Sequence, residues 1–260
     1  MATALNHHGP PEVLVHAAGG ASVGRSWEDP KGDFDLSLGS TAEVLDFLRH
    51  EAPEARLVYV SSAAVYGGSG GELLSEQDAC VPVSPYGVHK AACEQLVLGD
   101  ARMRGLQATI IRFFSLFGDG LRKQILWDVL NRAYDTSGSH LELWGTGDET
   151  RDFLHARDAG RIISAAATTH SAPLDPLILN GASGTAVTIR SLIERLLRAT
   201  GVETQIEFNG KSRIGDPLHL TANTNKLSSI LKFETKTDLD QGLAQYVDWF
   251  NKVKDSASPR

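Results

Sequence analysis

Short apolar runs alternate along the chain with longer stretches in which apolar residues recur every three or four positions. Val13 to His16, Leu57 to Val60, Thr109 to Arg112, Leu141 to Trp144, Leu177 to Asn180 and Gln205 to Phe208 are short and mostly β-branched or aromatic. Small or polar residues bound them, which predicts strands. Helical spacing is read from Thr41 to about His50, with Val44, Leu45 and Leu48 on one face. It recurs from Tyr86 to about Arg104 and from Leu121 to Tyr134, the latter through Ile125, Val129 and Leu130. Further helices are predicted after His155, after Thr188, after Thr224, and from about Asp238 to Val253, where Leu239, Leu243, Val247, Phe250 and Val253 form a stripe. Ser40-Thr41-Ala42-Glu43 has the form of a capping box. Ser84 followed by Pro85 reads as an N-cap with proline in the first turn. Strands alternating with helices predict an α/β fold around a parallel sheet.

Composition narrows the picture. The chain has 260 residues, 42% hydrophobic and 22% charged, with a net charge of −7. That length suits one domain or a domain with an annex, and that composition an ordinary buried core. The acidic balance argues against nucleic acid or an anionic membrane as partner. No apolar run approaches the ~18 residues of a membrane helix and none resembles a signal peptide, so a cytoplasmic chain is expected. Cys80 and Cys93 lie outside any metal-binding or paired spacing, so neither a disulfide nor a metal site is expected. Cys93 reads as a small core residue, and His7-His8 as part of a loose lead-in.

The candidate chemistry lies between Arg56 and Lys90. The predicted strand ends in Ser61-Ser62, and the helix after Ser84 carries Tyr86 and Lys90 one turn apart. A phenol, with a reference pKa of about 10, is a poor base at neutral pH. A nearby ammonium favours the phenolate. Ser62, Tyr86 and Lys90 together make a proton-transfer set for interconverting an alcohol and a ketone.

Five collinear segments carry a resemblance. These are Val13 to Gly19 (VLVHAAG), Ser61 to Gly67 with Tyr86 and Lys90, Arg112 to Gly118 (RFFSLFG), Gly145 to Phe153 (GTGDETRDF) and Arg213 to Pro217 (RIGDP). In this order the chain resembles the extended short-chain dehydrogenase/reductase family, the nucleotide-sugar epimerases and dehydratases. The resemblance implies a Rossmann-like parallel sheet, truncated at its N-terminal side, with a smaller C-terminal substrate lobe. Residues 12–120 would be the partial Rossmann-like domain and 121–255 mainly the substrate lobe, interleaved with the first. The implied cofactor is NAD or NADP, held near Ala17, Ala18, Gly19, Ser61, Tyr86, Lys90 and Phe113. Tyr86 would be acid or base, Lys90 would lower its pKa and hold the ribose, and Ser62 would orient the substrate hydroxyl. A nucleotide-sugar substrate would meet Ser115, Trp144, Arg151 and Arg213, with Trp144 either on the base or in the core. A homodimer through the helices near 40–50 and 86–104 is also implied.

Departures from the family pattern refine this. Ser115 stands where an asparagine is usual, and residues 35–39 offer none ahead of the first long helix. Ala63-Ala64 stands where a dehydratase carries Asp-Glu, which leaves epimerisation or ketone reduction. The Gly-x-x-Gly-x-x-Gly turn that cradles a dinucleotide pyrophosphate is not among these residues. Gly19 to Gly24 has the wrong spacing for it, and Gly67 to Gly71 reads as a substrate-side loop. A start placed upstream, a truncation, or a second chain would each account for that turn. The alternative reading is a degenerate homologue that binds sugar nucleotides or dimerises without catalysis.

Overall fold

The computed structural model describes residues 9–68, 70, 72–135, 140–169, 176–211, 215 and 217–257. In chain order, β1 (Val13–His16) is followed by two short helices, α1 (Val23–Glu28) and α2 (Pro30–Phe34). A π-helical turn over Asp35–Gly39 runs straight into α3 (Ser40–Glu51). Next come β2 (Arg56–Ser62), α4 (Pro85–Arg104), β3 (Ala108–Phe113) and β4 (Ser115–Phe117). The chain continues through α5 (Gln124–Asp135), β5 (His140–Leu143), β6 (Thr150–His155) and α6 (Ala156–Thr168). It then forms β7 (Leu177–Gly181), β8 (Ala186–Thr188), α7 (Ile189–Thr200), β9 (Gln205–Phe208), β10 (His219–Leu220), α8 (Asn225–Leu231) and α9 (Leu239–Ala257).

The central sheet has the order β1-β2-β3-β7, and every pair in it is parallel. Its strands alternate sides with period two. Leu57, Tyr59 and Ile110 face α3 and α4, where they meet Leu45, Leu48, Cys93 and Val97. Val58, Ile111 and Leu179 face α6 and α8 through Ile162, Ala166 and Leu227. Both faces are therefore covered, as a parallel sheet requires, and all six residues of β3 are buried. A third core gathers Val129 and Leu130 of α5, Leu192 and Leu196 of α7, and Leu243 and Phe250 of α9 against Leu141 of β5. Elsewhere β6 pairs with β4, β8 and β10, and β5 pairs with β9. Among the described residues, no helix is long and apolar enough to cross a membrane.

Several expectations need correction. The capping box at Ser40 is not used as one. The chain arrives already helical, so Ser40 Oγ donates back to the carbonyls of Leu36 and Ser37 at 2.6 and 3.2 Å. Val13–His16, expected to be a buried strand, is an edge strand, paired among the described residues only with β2, with Val15 exposed. The segment 22–34, for which the sequence pattern predicts no helix, contains α1 and α2, capped by Ser22 Oγ and Asp29 Oδ1. Thr224 precedes α8 without a side-chain cap bond. Gly145–Phe153, noticed only as a motif, contains most of β6. The predicted strand at Leu141 shifts by one residue, which leaves Trp144 outside it and exposed. Cys93 is fully buried, as expected of a small core residue.

A buried polar network ties α4 to the sheet. Arg112 Nε and Nη2 donate to the Glu94 carboxylate at 2.7 to 3.2 Å. Ser61 Oγ donates to the same carboxylate at 2.5 Å. Arg112 Nη1 donates to Tyr66 Oη, which donates to Asn180 Oδ1 at 2.7 Å. Taking one partner from a buried pair strands the other charge, which costs about 3–5 kcal/mol. Glu94→Gln is expected to lose about that much in denaturant-unfolding free energy. A loss within experimental error would mean that the network is not what holds α4 to β2 and β3.

Candidate active site

The carboxyl ends of β2 and β3 lie side by side, with Ser62 in register against Phe113. The first turn of α4 packs directly on the chain leaving β2. Its N-cap is Ser84, whose Oγ accepts the Gly87 N–H at 3.1 Å. Gly87 makes the approach possible, because a Cβ there would stand 2.5 Å from the Ala64 carbonyl oxygen. Ser26 Oγ of α1 accepts the Tyr86 N–H at 3.1 Å. This brings the Tyr86 side chain to Ser62, whose hydroxyl makes a polar contact that favours the phenolate. Ser62 Oγ also accepts the Ala64 N–H at 3.2 Å.

Lys90 is buried. Its Nζ donates to the Val60 carbonyl at 3.1 Å. It stands 5.3 Å from the centre of the Tyr59 ring and 6.0 Å from that of Tyr86. Behind it lies His16, buried, with Nε2 3.1 Å from Thr41 Oγ1. The three residues of the proton-transfer set thus converge at one end of the sheet. Their electrostatics differ from the simple expectation. Burial raises the Tyr86 pKa above the ordinary phenol value, Ser62 opposes that rise, and Asp33 adds to it. Burial lowers the Lys90 pKa, while Cys93, Asp33 and Glu94 work the other way. In the free chain desolvation outweighs the Ser62 contact, so the phenol is held protonated and not lowered as the spacing suggested.

The remaining predicted residues fall into groups. Ala17 and Ala18, small and exposed, leave the end of β1, followed by Gly19 at φ 133°. Ser61 is buried and its hydroxyl is committed to Glu94. Phe113 is buried at the end of β3. Ser115 opens β4 and is half-buried. Arg151 is buried in β6, where Nη1 donates to the carbonyls of Thr150 and Leu218 at 2.7 and 3.3 Å. Trp144 follows β5, which pairs with β9 outside the central sheet. Arg213 and the pair His7-His8 lie outside the described residues. Sequence reasoning missed Ser26, Gly87 and Asp33, which reach the site only through tertiary contact. The glycine directly after Tyr86 was the one readable signal among them.

A nicotinamide cofactor can be tested against these residues. The small side chains of Ala17 and Ala18, the turn at Gly19, and an ammonium fixed by a backbone carbonyl share the carboxyl edge of a parallel sheet. That is where open α/β sheets take ligands, and the residues present fit a ribose and nicotinamide.

Residues 1–180 match the model of the NAD dependent epimerase/dehydratase family. The chain belongs to that family. Among epimerase/dehydratase relatives, the UDP-glucose 4-epimerase of Rhizobium meliloti (strain 1021) is 27% identical over 245 residues, covering 88% of this chain and 74% of that protein. The UDP-glucuronate 4-epimerase of Thermodesulfobacterium geofontis (strain OPF15) is 24% identical over 239 residues, covering 91% and 72%. A solved structure of MoeE5 in complex with UDP-glucuronic acid and NAD superposes with a TM-score of 0.84 at 30% identity, covering 93% of this chain and 80% of that one.

His16 makes the site region acid-sensitive. Burial, and to a lesser degree the Lys90 charge, lower its pKa from 6.5 to about 4. The unfolded chain therefore takes up a proton that the folded chain refuses between those values. Stability present above 6.5 is lost as pH falls towards about 4, by about 3 kcal/mol in all. In urea unfolding, His16→Gln is expected to lose about 2.5 kcal/mol less than the wild type between neutral pH and a pH of about 4.5. Equal losses would show that His16 is not the responsible group.

Proposed function

We propose that this chain interconverts sugar epimers carried on a nucleoside diphosphate, as an NAD(P)-dependent 4-epimerase acting on a UDP-sugar. One observation carries the reading: Ser62, Tyr86 and Lys90 converge at the carboxyl edge of a parallel sheet. The printed substrates of the relatives, UDP-glucose and UDP-glucuronate, supply the substrate class. The nicotinamide, when bound, accepts a hydride from a sugar carbon and can return it.

The chain's own residues handle the proton. Tyr86 removes it from the sugar hydroxyl and gives it back to the carbonyl oxygen, while Ser62 holds that oxygen in line. Because burial keeps the phenol protonated in the free chain, ionisation has to be coupled to ligand binding. Lys90, already oriented by the Val60 carbonyl, holds the cofactor ribose and favours the phenolate when a ligand fills the cleft. Phe113, Ala17, Ala18 and Gly19 line the cofactor side, and Ser115 the sugar side. Arg151 and Arg213 bind the diphosphate, for which guanidinium forks are suited. In this reading residues 12–120 mainly serve the cofactor and 121–255 the sugar nucleotide. Two copies pair through α3 and α4, where Val88, Leu96 and Met103 leave apolar surface exposed on α4.

Ketone reduction uses the same residues, and product analysis separates it from epimerisation. A second reading rests on a sequence observation: no Gly-x-x-Gly-x-x-Gly occurs in these residues. Under it the chain binds sugar nucleotide or dimerises without hydride transfer. Titration with NADH or NADPH, followed by nicotinamide fluorescence, decides between them. Saturable micromolar binding is expected, and Tyr86→Phe should keep that binding while losing about 10²–10⁴-fold in turnover. Absence of binding removes hydride chemistry from this polypeptide. Full turnover in Tyr86→Phe removes the role of the phenol.

A further inference from the structure

Two hydrogen bonds among the described residues join the α1–α2 segment to the first turn of α4. The Ser26 bond to the Tyr86 N–H is one. The other is between side chains: His89 Nδ1 donates to Asp33 Oδ2 at 2.6 Å, with only 13% and 7% of those side chains exposed. The Phe34 ring meets the imidazole edge-on at 5.6 Å. Gly20 closes the opposite side of the carboxylate, since a Cβ there would stand 2.0 Å from Asp33 Oδ1. The carboxylate is thus clamped between an imidazole and a glycine backbone. His89 sits between Tyr86 and Lys90 on the same helical turn.

We propose that Asp33 and His89 are a positioning pair for Tyr86, in which their hydrogen bond pins the first turn of α4 and the carboxylate charge acts on the phenol. This rests on Tyr86 being the acid–base group. The charge reaches both functional groups, since Asp33 raises the pKa of Tyr86 and of Lys90 and so favours their protonated forms. The groups facing Tyr86 are Asp33 from α2, Lys90 from its own helix, and Ser62 and Tyr59 from β2. Lys90 in turn faces His16 of β1, and Cys93 and Glu94 along α4. Asp33 is the anion that the α1–α2 segment contributes to this set. It adds to burial, which is the main cause holding the phenol protonated in the free chain.

The two parts of the role separate by substitution. Asp33→Asn keeps an acceptor for His89 and removes the charge. Asp33→Ala removes both. The full chain, prepared with isotope-labelled tyrosine, is titrated by NMR, with the Tyr86 signal assigned from Tyr86→Phe. Asp33→Asn is expected to move the Tyr86 midpoint to lower pH with little change in Tm. Asp33→Ala is expected to move it the same way and to lower Tm as well. An unshifted midpoint in Asp33→Asn overturns the electrostatic role, whether or not Asp33→Ala folds. A wild-type Tm in both Asp33→Ala and His89→Ala overturns the pinning role. Neither readout needs cofactor or turnover, so a fully active Tyr86→Phe would refute the functional reading separately from this one.

Discussion

The ion pair between Glu94 and Arg112 is the constraint on which the rest of the site depends. It lies between α4 and β3, with both side chains almost fully buried. Each charge loses several kcal/mol of hydration on entering such a place, and mutual attraction alone does not restore it. Extra hydrogen bonds therefore have to be present, and they are. Ser61 at the end of β2, Tyr66 beyond it and Asn180 of β7 all join the network. The same bonds that satisfy the charges fix α4 against three strands. An apolar replacement could match the stability, but it would not specify the rotation of α4 that turns Tyr86 and Lys90 towards Ser62.

Close approach completes what the ion pair begins. Gly87 lets the first turn of α4 touch the backbone at Ala64, and Gly20 lets the α1–α2 segment close on Asp33. Both are places where a missing side chain substitutes for distance. The result is a phenol in a largely desolvated position, with an ammonium and a carboxylate at its flanks. Desolvation opposes the charged forms of both Tyr86 and Lys90, so it raises one pKa and lowers the other. The pair is therefore closer to neutral in the free chain than two exposed side chains would be. A ligand that changes the local charge or excludes further water acts on a poised equilibrium.

Much of this was legible in the sequence, for physical reasons. Local signals sufficed for α4, since Ser84 and Pro85 mark its start and the apolar stripe carries it to Arg104. Strand composition sufficed for β2, β3, β7 and β9. Tyr86 and Lys90 were readable because a helical turn sets their spacing whatever surrounds them. What was not legible depends on the third dimension. Ser40 looked like a cap because its neighbours have capping chemistry, but the π-helical turn before it removed the need for one. The sign of the Tyr86 shift needed burial, and spacing alone says nothing of burial. Asp33 and His89 are 56 residues apart in sequence, and no local pattern links them.

Comparison of the two polar clusters suggests why both sit on α4. Glu94–Arg112 anchors the middle of the helix from inside, where water is excluded and geometry is rigid. Asp33–His89 anchors its first turn from outside, at the rim of the cleft, where the imidazole remains partly accessible. A helix held only at its middle could rock its first turn by an ångström without breaking a core contact. Such a displacement would separate Tyr86 from Ser62, and misplacement on that scale costs about 10²-fold in a positioned reaction. Fixing the first turn at the rim as well as the middle from inside removes that freedom while leaving the phenol open to the charge of whatever enters the cleft.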